Sequence, residues 1–285
     1  MILITGASGT TGGAVLDAAR SLGLPLRAMV RTADDARNLG AGVDVAVADF
    51  ADSSSLAPAL AGVDAVFLVC GPVPQLVELE RGMIAACVSS GVRHVVLSSA
   101  IGADEFPKSF PSWHGKVEAA LRESGLAYTI VRPNGFMQNI VGYYGPTIRS
   151  EGAFHAAMGE AKVSMVDVRD VGACAAAVLR EPERHAGRVV ALNGPEAVSC
   201  DEIAARISRL VGRKVAFVDL PEQTQRRAML TAGMPEWQVT AVLELQEYYR
   251  TGRCATLDDT IAGLTGHPAR RLDAYLSENA AAFTN

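Results

Sequence analysis

The residues best suited to chemistry cluster early. "MILITGASGTTGG" runs from a short apolar stretch into Gly6-x-x-Gly9-x-x-Gly12, with Ser8, Thr10 and Thr11 set between the glycines. Gly6 permits a sharp turn off the end of a strand. Gly9 has no Cβ to keep the backbone away from a pyrophosphate, and Gly12 lets the following helix pack close to the sheet. A helix starting there offers unpaired N–H groups and partial positive charge to an anion, and the hydroxyls can add donors. A tight corner without a ligand is the plainer alternative, but the order strand, glycine turn, helix favours phosphate binding.

Other positions bear on which nucleotide would bind. The second apolar run, "LRAMVRT", ends at Arg31. A carboxylate there would take a ribose 2′-OH and repel a 2′-phosphate, whereas the planar, permanently charged fork of Arg31 suits the phosphate. NADPH is therefore expected in preference to NADH. Asp49 and Phe50, ending the third run, are expected either to meet the adenine or to close a strand-end turn. Ligands of such sheets bind outside the carboxyl ends of the strands. That adds Cys70, Gly71 and Pro72, then Ser98, Ser99, Ala100 and Ile101, then Pro133, Asn134, Gly135, Phe136 and Met137. No His or Lys neighbours Cys70 in sequence, so it is not read as a nucleophile.

For proton transfer, His114 is the candidate acid, because its ordinary pKa lies near neutrality. Glu118, four residues on and so on the same helix face, could orient it. Lys116 and Ser99 complete the candidate catalytic set; His94, just before a strand, reads as structural. Asp170 reads as a helix cap rather than as half of a carboxylate pair with Asp167. Met229, Met234, Trp237, Tyr248 and Tyr249 suggest a flexible apolar cover, with Phe136, Met137, Trp237 and Tyr248 as substrate contacts. Such a lining suits an apolar aromatic acceptor better than a sugar. No metal site is expected.

These residues require a particular scaffold. Compact apolar runs at 1–5, 26–31, 43–49, 64–70, 93–99 and 127–133 read as buried strands. Amphipathic stretches at 13–22, 76–91 and 113–125 read as the helices between them. Alternation of this kind predicts an α/β protein: a doubly wound parallel sheet of Rossmann type, covered by helices on both faces. After about residue 195 the pattern becomes mostly helical, with Ser199 and Glu202 spaced as a capping box and later helices at 234–252 and 268–283, each entered at a proline. The expected division is a nucleotide-binding domain over 1–195 and a smaller substrate-binding lobe over 196–285, with a contribution from 135–165.

Composition excludes several roles. A net charge of −5 over 285 residues argues against nucleic acid. No apolar run reaches the roughly 18 residues that would span a bilayer. The five cysteines are odd in number and lack C-x-x-C spacing, which argues against a disulfide framework or zinc. No secretory signal pattern precedes Gly6. A cytoplasmic protein, monomeric or homodimeric, acting on a small apolar or aromatic molecule is expected.

"TGASGTTGG" (5–13), "VRT" (30–32), "ADF" (48–50), "VLSSA" (96–100), "VRPNGFMQN" (131–139) and "VDVRDVG" (166–172) together resemble the NmrA-like branch of the atypical short-chain dehydrogenase/reductases. The resemblance spans nearly the whole chain. It implies a Rossmann domain, a preference for NADPH and a small lobe closing over substrate. The branch includes reductases of quinones, azo compounds and triarylmethane dyes, and also nucleotide-sensing regulators. Ordinary members of the superfamily use Tyr-x-x-x-Lys, the Tyr protonating substrate and the Lys lowering its pKa. Here the Lys equivalent is Lys116, Ser112 stands four residues before it, and none of the six tyrosines has a Lys four residues on. The expected function is hydride transfer from NADPH to a small conjugated acceptor; the alternative is a nucleotide sensor acting on a protein partner.

Overall fold

A computed structural model of the protein describes residues 1–40 and 42–284. Seven strands form one parallel sheet: β1 (Ile2–Ile4), β2 (Leu26–Val30), β3 (Asp44–Val47), β4 (Ala65–Leu68), β5 (His94–Ser98), β6 (Ala127–Pro133) and β8 (Arg188–Leu192), in the order β3-β2-β1-β4-β5-β6-β8. Ile2 pairs with Leu26 on one side and Ala65 on the other, so the strand order reverses at β1. This is the doubly wound, Rossmann-like arrangement, and sheets of this kind bind ligands in the crevice at the reversal.

Helices cover both faces. On one, α1 (Thr10–Ser21) lies against α6 (Val168–Arg180), where a Cβ on Gly172 would stand 2.5 Å from the carbonyl oxygen of Ala14. On the other, α2 (Ser53–Leu60), α3 (Leu76–Ser89) and α4 (Ser109–Glu123) enclose Leu3, Val66, Leu68, Met83, Val95 and Leu97. A third apolar cluster joins residues 137–163 to residues 198–283. It contains α5 (Gly145–Glu151), the helices α7 (Cys200–Val211), α9 (Glu236–Arg250) and α11 (Leu272–Glu278), and a parallel pair of strands, β7 (Ala153–Ala156) and β9 (Ala216–Asp219). α8 (Glu222–Thr231) packs on α9, while α10 (Thr260–Thr265) packs back on α6 and β8.

Several expectations need correction. β7, β8 and β9 add to the six strands expected: β7 and β9 are only four residues long, and β8 opens on the exposed Arg188 and Val189. β3 is an edge strand, so Val45 and Val47 are exposed rather than covered on both faces. α11 starts four residues after Pro268, at Leu272. The cap of α6 is Asp167, whose Oδ1 accepts from the Arg169 N–H at 2.9 Å. Asp170 sits in the first turn of α6 and instead accepts from the Arg270 backbone at 2.7 Å while pairing with its guanidinium. Ser199 and Glu202 do form the capping box that starts α7. No helix among the described residues is long and apolar enough to cross a membrane.

Candidate active site

At the β1–α1 corner Gly6 has φ +57°, a conformation L side chains rarely adopt. A Cβ on Gly12 would stand 2.6 Å from the carbonyl oxygen of Thr5 and closer still to that of Gly6; on Gly9 it would be 3.2 Å from the latter. Backbone, not a flexible side chain, fills this space, so the helix start can nestle against the strand only with glycine at 12. Thr5 ties the corner to β4: its one O–H is shared between the carbonyls of Phe67 and Val69, and its Oγ1 accepts from the Val69 N–H at 2.8 Å. α1 has Gly9 at its N-cap, no side-chain cap and no acidic residue in its first turn. The N–H groups of Thr10, Thr11 and Gly12 have no acceptor among the described residues. Ser8, Gly9 and Thr10 are exposed beside them. A phosphate needs convergent donors, positive potential and no competing carboxylate, and this corner meets all three conditions.

Arg31 follows β2, exposed and without an ion pair among the described residues, whereas neighbouring Thr32 is tied to Asp35. Asp49 is exposed; its Oδ1 accepts from the Ala51 N–H at 2.9 Å, closing the turn into α2, and Phe50 is half-buried beside it. Arg31 and Asp49 both act electrostatically on Cys70, which gathers the ends of β2, β3 and β4 around one crevice. Burial, with Glu80 behind it, pushes the Cys70 thiol up to about 12, so it is no nucleophile. Gly71 and Pro72 are exposed at the rim. Glu80 is a fully buried carboxyl on the apolar face of α3. One oxygen accepts from the Cys70 N–H at 2.9 Å; the other has no partner among the described residues. Burial raises its pKa to about 8. Sequence reasoning missed Glu80, although an acid aligned with Leu76, Met83, Ile84 and Cys87 on one helix face is a legible anomaly.

At the carboxyl ends of β5 and β6, Ser99 alone of the candidate catalytic residues is already engaged. Ser99 is buried and its Oγ donates to Glu118 at 2.6 Å. Glu118 also receives both arms of Arg132, at 2.8 and 2.6 Å, and Arg122 at 2.9 Å; Arg132 reaches on to Asp104 at 2.7 Å. Burial alone would raise the Glu118 carboxyl, but the bonds from Arg132 and Ser99 outweigh it and hold it below the usual range. Ser98 is buried within β5. The expected pair of His114 and Glu118 is not formed, because Glu118 is spent on Ser99 and two guanidinium groups. His114 Nδ1 is buried with no hydrogen-bond partner among the described residues, and burial lowers its pKa to about 4. It is neutral near pH 7, which argues against the role of acid. Lys116 is exposed on α4 with no ion pair among the described residues. His94 Nε2 meets Thr129 Oγ1 at 3.0 Å inside the sheet, a structural contact.

Beyond β6, Pro133 pairs with Leu192 on β8. The Asn134 side chain is not free for a coenzyme: its Nδ2 donates to Asn193 Oδ1 and to the Cys254 carbonyl, and its Oδ1 accepts from the Gly135 N–H at 2.8 Å. Phe136 is half-buried against the α1/α6 side. Met137 and Tyr248 are corrected as substrate contacts. Both lie fully inside the third cluster, and the Tyr248 hydroxyl donates to Glu105. Met229, Met234 and Trp237 are half-buried on or near α8 and α9, and Tyr249 is half-buried on the last turn of α9.

The sequence pattern of the NmrA-like family matches residues 1–274. The chain belongs to the NmrA-like family. Within curated relatives it is 38% identical over 285 residues to an NAD(P)H azoreductase of Xenophilus azovorans, covering 99% of both chains. It is 39% identical, over the same shares, to a (4-alkanoyl-5-oxo-2,5-dihydrofuran-3-yl)methyl phosphate reductase of Streptomyces griseus. Among solved structures, an NADPH-dependent quinone oxidoreductase from Escherichia coli, complexed with NADPH, superposes with a TM-score of 0.89 at 29% identity, covering 99% of both chains.

Proposed function

We propose that this protein is an NADPH-dependent reductase of a small, conjugated, apolar acceptor such as a quinone, an azo compound or an enone. It is an oxidoreductase that uses a nicotinamide coenzyme. The observation that carries the finer reading is the β1–α1 corner, where three unclaimed N–H donors sit in a glycine cradle, with the unpaired Arg31 at the end of the next strand. When bound, the coenzyme supplies a hydride. The N–H groups of Thr10, Thr11 and Gly12 hold its diphosphate, and Arg31 selects the 2′-phosphate by a charge-assisted, bidentate contact. Asp49 and Phe50 border the adenine end. Cys70–Pro72 and Ser99–Ile101 border the other end, and Lys116 lies on the helix that follows.

In this reading residues 1–195 provide the nucleotide-binding domain, and residues 196–285 with 135–165 provide the acceptor's walls. Phe136, Met229, Met234 and Trp237 give those walls an apolar, adaptable surface. The relatives include reductases of an azo compound, a furanone phosphate and a quinone, all conjugated acceptors. The nucleotide-sensing alternative finds no counterpart among them. Incubation with NADPH and a panel of quinones, azo dyes and enones, followed at the nicotinamide absorbance band, tests the reading. Turnover of at least one class supports it; tight NADPH binding with no turnover across the panel overturns it.

A further inference from the structure

The Tyr of Tyr-x-x-x-Lys is missing, yet a phenol still reaches the carboxyl end of β6 from another direction. Helix α9 packs against α4 and is pinned there: Lys108 Nζ meets Glu247 at 2.8 Å, and Tyr248 donates to Glu105. A Cβ on Gly102 would stand 2.6 Å from the Tyr248 ring, so the loop leaving β5 and the end of α9 fit closely. The next residue, Tyr249, lies about 100° round the helix and points elsewhere. A Cβ on Gly135 would be 2.9 Å from its hydroxyl oxygen. Gly135 is itself fixed by Asn134, in the loop after β6, on the side of the strand reversal opposite Arg31. The Tyr249 hydroxyl makes no hydrogen bond among the described residues.

We propose that the hydroxyl of Tyr249 hydrogen-bonds the acceptor and donates the proton that completes its reduction, an inference that rests on the reductase reading above. The other donors nearby are committed or unsuited. The Ser99 hydroxyl donates to Glu118, the Tyr248 hydroxyl donates to Glu105, and His114 carries no proton to spare near pH 7. Burial, with only Cys254, Tyr144 and Tyr143 as further influences, keeps the Tyr249 phenol above its ordinary pKa, so it holds its proton until an anion forms beside it. Hydride addition to a quinone or azo compound breaks a π bond and leaves the electron pair on the distal oxygen or nitrogen. The O–H bond of Tyr249 breaks, the proton joins that atom, and the phenolate regains a proton from water. A cationic triarylmethane dye behaves differently: hydride addition to its central carbon gives a neutral product with no proton required.

Tyr249→Phe tests this with two readouts. In turnover with NADPH, the ratio of the 1,4-naphthoquinone rate to the rate with a cationic triarylmethane dye is expected to fall about 100-fold, the lower range for loss of a general acid. In calorimetry on enzyme saturated with NADP+, the variant is expected to bind 1,4-naphthoquinone roughly fivefold more weakly, the loss of one neutral hydrogen bond. Binding of 1,4-dimethylnaphthalene, which has no oxygen, and of NADPH should be unmoved. An unchanged rate ratio, or equal weakening of both naphthalenes, overturns the proposal. Absence of turnover with any acceptor in the wild type would instead sink the reductase reading, and the calorimetric arm would still decide whether Tyr249 grips the acceptor's oxygen.

Discussion

Two ends of the same crevice are finished to different degrees. At the β1–α1 corner, the donors of Thr10, Thr11 and Gly12 are left without acceptors and no carboxylate intrudes. At the β5–β6 end, Ser99, Glu118, Arg132 and Asp104 satisfy one another. Buried polar groups are normally paired. The first region therefore reads as a receptor for a ligand, and the second as a strut that holds the loop of residues 99–108 to α4 and β6. Ser99, which looks catalytic by position, is held in this strut.

The comparison can be broken most forcefully at Gly12. Gly12→Ala drives a Cβ into the backbone of Thr5 and Gly6, and overpacking of this kind costs about 1–3 kcal/mol or more. Calorimetry should find NADPH binding lost, and the melting temperature should fall. Next, Arg132→Met takes the bidentate partner from the buried Glu118 carboxylate and leaves it only Ser99 and Arg122; breaking a buried pair costs up to about 3–5 kcal/mol, to be read by denaturant unfolding. If unfolding free energy hardly moves, the strut is not one.

Arg31→Ala is expected to weaken NADPH about tenfold or more while leaving NADH untouched, since a charge-assisted contact contributes about 1.5–3 kcal/mol. Equal losses in a titration would remove the 2′-phosphate argument. A smaller effect is expected at Glu80. Its folded pKa, about 8, is raised above the ordinary 4.5. Between those values the folded state keeps a proton that the unfolded chain has lost, so this carboxyl's contribution to stability falls as pH rises through that window. Glu80→Gln keeps an acceptor for the Cys70 N–H and should flatten that slope in melting curves taken from pH 5 to 8. Least of all, His114→Asn should leave the shape of the pH–rate profile unchanged, because an imidazole titrating near 4 has no step at 6.5.

Much of this was readable before any coordinates. The glycine corner was, because it is a local demand of backbone geometry: turn, approach and packing lie within seven residues. The parallel sheet was, because buried strands show as apolar runs. What escaped depends on distant partners. Glu118 and Arg132 stand on different elements, and only the sheet brings them within 2.6 Å. Tyr248 and Tyr249 are adjacent in sequence, and nothing in their spacing says which is sealed in the cluster and which faces Gly135. Asp167 and Asp170 both sit where a cap could be; the deciding partner, Arg270, is a hundred residues away.

Glu105 has a wider reach than its single side chain suggests. It belongs to the loop leaving β5, receives the Tyr248 phenol, and pairs with Arg253 at 2.6 Å, so one partly exposed carboxylate ties that loop to the end of α9 and the turn after it. Ions in solution screen such a pair. Added salt should therefore loosen the tie beside Tyr249 while leaving the β1–α1 corner, which holds no such pair, unaffected.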